Sequence, residues 1–407
     1  MTSASTQTAD ARQVYFSQLL DLAAKGAQAS PLSLPDLRRA ATGILQEHDF
    51  PSSRDEAWRF TDLSGLLSLS LTLPTEDAIA TQPTDLPEGI QVAWLSSLMP
   101  VSADLSARLG QVPGSSEVFT ALNTAGFSDA VVIQVGRDQQ IDQPVELTYT
   151  FPQQSSPVLS QPRCLVIVES GASLTLVEQF IGDGTGLSNS VTEVYLEPNA
   201  ELRHLRLQQY GDRPYHIGKT AISQARDSRY ACTAIDLGAQ LSRHHLEIYQ
   251  RGPQTETRLQ GLSLVGGNRL ADTHSLIAMG YPHGQAEQVQ KNIVRERGHA
   301  VFNGKVYVPQ AAQLTNAAQL NRNLLLSDKG RVDTKPELDI VADNVKCAHG
   351  ATVSQLQPDE LFYLQSRGIS RSEAQQLLVR GFAMEIIETI SVPSLRDRIT
   401  HLITQSP

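Results

Sequence analysis

"CLVIVESGASLTLVEQFIGDGTGLSNSVTEVYLEPNAELRHLRLQ", residues 164–208, is the stretch on which the fold turns. The runs CLVIVE, ASLTLVEQF, VTEVYLE and AELRHLRLQ are strand-length and β-branched or alternating, with Gly, Asn, Asp and Pro between them. The same texture extends outward, through AVVIQV and PVELTYTF on one side and to about residue 353 on the other. Turn residues precede strand-like runs at Gly171, Asn199, Gly238, Gly267, Gly298 and Gly330, mostly at intervals of roughly 30 residues with one nearer 40. The repeat has no tight consensus. Even so, this much short-strand sequence exceeds an ordinary sandwich, and a propeller would show recurrent aromatic blade signatures, whereas the chain has two Trp. The spacing predicts a coil of strands.

Helical patterns flank it. In "RQVYFSQLLDLAA", Val14, Phe16, Leu19, Leu20 and Ala23 fall in rough helical register. Ser33, Pro35 and Asp36 open a second helix carrying Leu37, Ala41, Ile44 and Leu45 on one face. Ser53, followed by Asp55 and Glu56, reads as another capped start. At the other end Pro358, Asp359 and Glu360 begin a helix that Gly368 stops. Ser370 and Glu373 then form a capping box, and Pro393 precedes a last amphipathic stretch. The expected fold is mainly β: a right-handed parallel β-helix core flanked by N-terminal and C-terminal helical regions. The expected division is 1–125, 126–354 and 355–407. A solenoid exposes unpaired strand edges at its ends. The flanking helices cover them, or another chain pairs with one.

Composition narrows the function. Hydrophobic residues make up 40% of the 407-residue chain, enough for a core, and the formal charge is −10. There is no basic block of the kind that displaces counterions from nucleic acid. No apolar run approaches the roughly 20 residues of a spanning helix, and the first residues lack a signal or transit pattern. A cytoplasmic protein with neither nucleic acid nor membrane as partner is expected. Cys164, Cys232 and Cys347 are widely spaced and form no C-x-x-C pair, which argues against a disulfide framework or a self-sufficient metal site.

The chemistry-bearing candidates are few. Cys347 and His349 are two residues apart and on a strand share a face. A thiolate and an imidazole suit zinc, copper or iron–sulfur chemistry. Two ligands do not close a site, however, so a small buried hydrophobe beside a hydrogen-bonded histidine is the competing reading. His244 and His245 are adjacent and point to opposite sides of a strand. His274 and His283 flank "SLIAMGYP" without a carboxylate or thiol pattern. Asp333, Glu337 and Asp339 in "VDTKPELDI" read as a turn with solvent-facing alternates, or as carboxylates of a stand-alone β-helix enzyme acting on polysaccharide. "LVGGNRLAD" lacks the Lys-Ser/Thr of a phosphate loop.

The block "NLLLSDKGRVDTKPELDIVADNVKCAHGATV" followed by "DELFYLQSRGIS" closely resembles the SUF-system iron–sulfur cluster assembly scaffold proteins, the B/D family. "VFNGKVYV" (301–308) and "RDEAWRFTDL" (54–63) are similar to further landmarks of that family. The cysteine-rich stretch of a B member is missing, and "KCAHGAT" matches the D-type form. The resemblance implies a non-catalytic scaffold whose β-helix pairs with a B-type partner, or with itself when alone. It also implies C-terminal helices that dock an ABC-type ATPase. The cargo would be a transient Fe–S cluster shared at the scaffold interface, with His349 as a ligand and Cys347 in the matching cysteine position.

Overall fold

The computed structural model describes residues 2–75, 80–81, 86–114 and 116–405. Its centre is a two-sided parallel β-solenoid of about eight turns. From Arg163–Val168 to Lys346–Gln355 the chain lays strands alternately in a ten-stranded and a nine-stranded sheet. The register sets the repeat. Along the nine-stranded sheet Glu201 pairs with Arg229, Arg229 with Glu256, Glu256 with Gln285, Gln285 with Asn316, and Asn316 with Lys346.

One corner shows how the coils stay in phase. Asp138, Gly171, Asn199, Asp227, Gln254, His283 and Leu314 all have φ between 58° and 72°. Each sits where the chain passes from the ten-stranded to the nine-stranded sheet. Their N–H groups donate to Ser170, Pro198, Arg226, Pro253, Pro282, Gln313 and Asn344 oxygens, from Gly171 onward one coil ahead each time and from Asp138 likewise to Ser170. The left-handed bend is therefore repeated as backbone geometry, while the residue type varies.

The space between the sheets is apolar along one side, with Val166, Leu176, Leu202, Ile222, Ile248, Ile277 and Val306. Elsewhere it is polar and hydrogen-bonded. His204 bonds Glu178 at 2.9 Å and Tyr230 at 3.0 Å, and Thr220 bonds His244 at 3.0 Å. Buried polar groups are tolerable only with such partners.

The N-terminal region lies on the outer face of the ten-stranded sheet. Tyr15, Phe16, Leu19 and Ala23 of the helix Thr2–Ala29 pack with Phe50, Trp58 and Phe119 onto Leu159, Leu187, Ile217 and Leu241. The helix Val118–Gly126 is buried throughout, and the Glu117 carboxylate caps it by accepting from the Phe119 and Thr120 N–H groups. The helix Pro35–Glu47 starts where expected. The start at Ser53 does not: residues 56–58 form only a 3-10 turn. There Trp58 is drawn against Arg243, and Arg243 also donates to the Ala57 carbonyl, which fixes a turn too tight for an α-helix.

The tail forms helices Pro358–Ser366, Arg371–Ile387 and Pro393–Gln405, with the Ser370–Glu373 capping box in place. Val379, Ala383, Ile386, Ile390, Ile399 and Ile403 seat against Leu205, Leu207, Ile235, Leu262 and Ile293 on the outer face of the nine-stranded sheet. At about 2 kcal/mol for each fully buried Ile or Leu, this seam far outweighs the capping contribution. The tail thus covers the side of the solenoid.

Candidate functional site

The two ends of the solenoid differ. At the first coil, Ile90–Trp94 pairs antiparallel with Val131–Val135, and Ala80–Thr81 pairs antiparallel with Val145–Thr150. At the last coil, Arg331–Ile340 and Lys346–Gln355 are the outermost strands of their sheets, and neither has a neighbour on its far side among the described residues. The "VDTKPELDI" segment is thus an edge strand and not a turn. An edge accommodates Pro336, which a central position would not.

Cys347 and His349 lie on this terminal strand. Cys347 pairs with Ala317, and His349 with Gln319, on the face that continues the solenoid interior. Cys347 is half-buried and packs against the interior apolar cluster. Burial pushes its thiol up, opposed by a hydrogen bond from the Ala317 backbone. His349 is exposed and makes neither hydrogen bond nor ion pair among the described residues. A histidine held inside the fold by a hydrogen bond is not what the strand presents. No group of three or more His, Cys, Asp or Glu side chains suited to a metal converges among the described residues.

The other candidates go elsewhere. His244 faces the interior. His245 faces outward, with ring centroids 5.8 Å from Trp58 and 5.4 Å from His274. Cys164 and Cys232 are fully buried, and burial raises both thiols, Cys232 to about 12. Cys232 is on the same rung line as His349, four strands back through Leu259, Gln288 and Gln319. His283 stands at a corner. Asp333 bonds His299 at 2.7 Å and Arg331 at 2.8 Å, while Lys305 reaches Glu337 at 3.2 Å and Asp339 at 2.9 Å. These carboxylates are spent on ion pairs along an outer face. Lys335 and Lys305 hold Glu337 below the usual carboxylate range, opposite to what a general acid needs.

What the sequence reading missed is the interior polar file. Glu178, His204, Arg206, Asp236, Gln288, Gln319 and Asn321 face inward, because the tail helices bury the alternate Leu and Ile residues on the outside.

A family model described as "SUF system FeS cluster assembly, SufBD core domain" matches residues 151–382. The chain belongs to the SufBD family. An iron–sulfur cluster assembly SufBD family protein of Synechocystis is 39% identical, covering 91% of this chain and 90% of that one. The chloroplastic protein ABCI7 of Arabidopsis thaliana is 33% identical, with 91% and 85% covered. The Escherichia coli iron–sulfur cluster assembly protein SufD is 27% identical, with 94% of each covered. The polysaccharide-enzyme alternative finds no support in these relatives. No described helix is long and apolar enough to cross a membrane.

Proposed function

We propose that this chain is the D-type scaffold of a cytoplasmic SUF assembly complex, pairing with a B-type scaffold through the open end of its β-helix. The nascent Fe–S cluster is its cargo, held at that interface and not by this chain alone. His349 supplies one ligand, since imidazole replaces thiolate on iron in known clusters. Cys347 stands beside it as a second donor. The observation that carries this reading is an unpartnered, exposed imidazole on a strand whose far edge is free. The donor set fits: one thiol and one imidazole on one face leave room for ligands from a second chain.

The division 1–125, 126–354 and 355–407 then has functional meaning. The tail exposes Phe362, Tyr363 and Leu377, at 73%, 58% and 46%, a patch suited to docking the ABC-type ATPase. ATP hydrolysis belongs to that partner, and this chain is non-catalytic. Phe362→Ser should release the ATPase while leaving the two scaffolds together on a column.

The decisive test is the iron and acid-labile sulfide content of the co-expressed complex purified without oxygen, native against His349→Ala. The expected result is loss of cluster with full recovery of partners. Unchanged iron and sulfide would remove His349 from the ligand set.

A further inference from the structure

We infer that Gln319 is the positioning residue for His349, its side-chain carbonyl accepting the imidazole N–H that the iron does not use. This rests on the ligand reading above but draws on separate observations. Gln319 and His349 are register partners on adjacent parallel strands, and their side chains share a face. Such neighbours stand about 4.8 Å apart. The Gln319 amide is fixed from below: its Nε2 donates to Gln288 Oε1 at 2.9 Å, and Gln288 Nε2 in turn donates to Ser275 Oγ at 2.9 Å. With one amide N–H committed to that chain, which fixes the orientation of the amide, the Gln319 carbonyl is left to accept. Its Oε1 is buried and has no hydrogen-bond partner.

The landmark "VFNGKVYV" gains a role from this arrangement. A Cβ on Gly304 would stand 2.9 Å from Gln319 Cδ and closer still to Nε2. Glycine at this position leaves the amide its space. A metal-bound histidine commonly donates its second ring N–H to a carbonyl or carboxylate, which fixes the tautomer and the plane of the ring. The orphan Gln319 oxygen, one rung from an exposed imidazole, is an acceptor suited to that bond. Gln319 touches neither iron nor sulfide in this scheme and acts through His349.

The test uses the full chain and the assembled complex, with Gln319→Leu, Gln319→Glu and Gly304→Ala. In the chain alone the two side chains are not bonded; in the metal-free complex with the partner scaffold, ring ¹⁵N spectra should show His349 as one tautomer. Gln319→Leu and Gly304→Ala should give a mixture, and Gln319→Glu, which keeps an acceptor, should restore a single form. Unchanged His204 and His216 signals serve as the folding control. In the complex, iron should leave to a chelator about 10-fold faster in Gln319→Leu and Gly304→Ala, and at close to the native rate in Gln319→Glu. Identical ring spectra in the native and Gln319→Leu complexes would overturn the inference. If His349→Ala keeps its iron while the spectra change as expected, the ligand reading fails and the Gln319–His349 bond stands.

Discussion

The guanidinium of Arg243 lies over the Trp58 ring, its central carbon 3.8 Å from the ring centroid. Both residues are buried, and the same guanidinium pairs with Asp272, which also accepts from Thr61. The landmark segment 54–63 is thus bolted to the middle of the ten-stranded sheet. Burial alone would raise the Asp272 carboxyl, but the Arg243 charge, with His274 and Thr61 behind it, holds it well below the usual range. Arg243→Met leaves that carboxylate buried without its cation and should cost about 3–5 kcal/mol. Replacing both residues, as Arg243→Met with Asp272→Leu, should recover most of the loss. Denaturant midpoints of the single and double variants decide it, and equal loss in both would refute the account.

Stability should fall as pH drops below about 6.5. Burial is the leading cause that lowers His216, His244, His245, His274 and His299 from the ordinary histidine value. The unfolded chain takes up protons through that range and the folded chain does not, so the unfolded state gains. Each group contributes up to about 1.4 kcal/mol per pH unit until its own folded pKa is reached. Urea midpoints at pH 7.5, 6.5 and 5.5 should decline in that order. A flat profile would mean that these rings take up protons within the fold.

Leu314 adopts φ of 60° with its side chain half in water. A non-glycine residue pays about 1–2 kcal/mol in the left-handed region, and asparagine pays less. Leu314→Asn should therefore raise the thermal midpoint, since little apolar burial is lost. A lower midpoint would show that the exposed leucine packs against something in the native assembly.

On the proposed pairing, the terminal strand must offer its outward N–H groups. Lys346 N–H donates inward to the Thr315 carbonyl, so alternation turns the Ala351 N–H outward. Ala351→Pro removes that donor while sparing the inward ladder. The purified chain should keep its circular dichroism and lose its scaffold partner. Partner recovery equal to native would place the contact elsewhere.

The strands of the coil were legible because their length and punctuation survive in residue types, as at Gly171 and Asn199. The full repeat was hidden because the corner is conserved as backbone shape: Gln254, His283 and Leu314 take the same bend as Gly171. "ELRHLRLQ" shows a second limit. Alternation marks a strand but not which side is inside. Here Leu205 and Leu207 meet the tail helices while His204, Arg206 and Gln208 point into the solenoid. The capping box and Gly368 stop were local and read directly. The Cys347–His349 face was readable from the two-residue period, whereas the bareness of His349 depends on which strand ends the sheet. No local pattern carries that information.

The unequal ends of the solenoid also set how far assembly can go. At the first coil the outermost strands run antiparallel to their neighbours and span only 2 and 5 residues, whereas at the last coil both span 10 and run parallel, so the long edge suited to strand addition lies at one end. A rod with one adhesive end forms a pair with another such rod, and the pair has no adhesive end left. On the proposed pairing growth would stop at two, and a protein built from the same stacked strands as a fibre would be kept from becoming one.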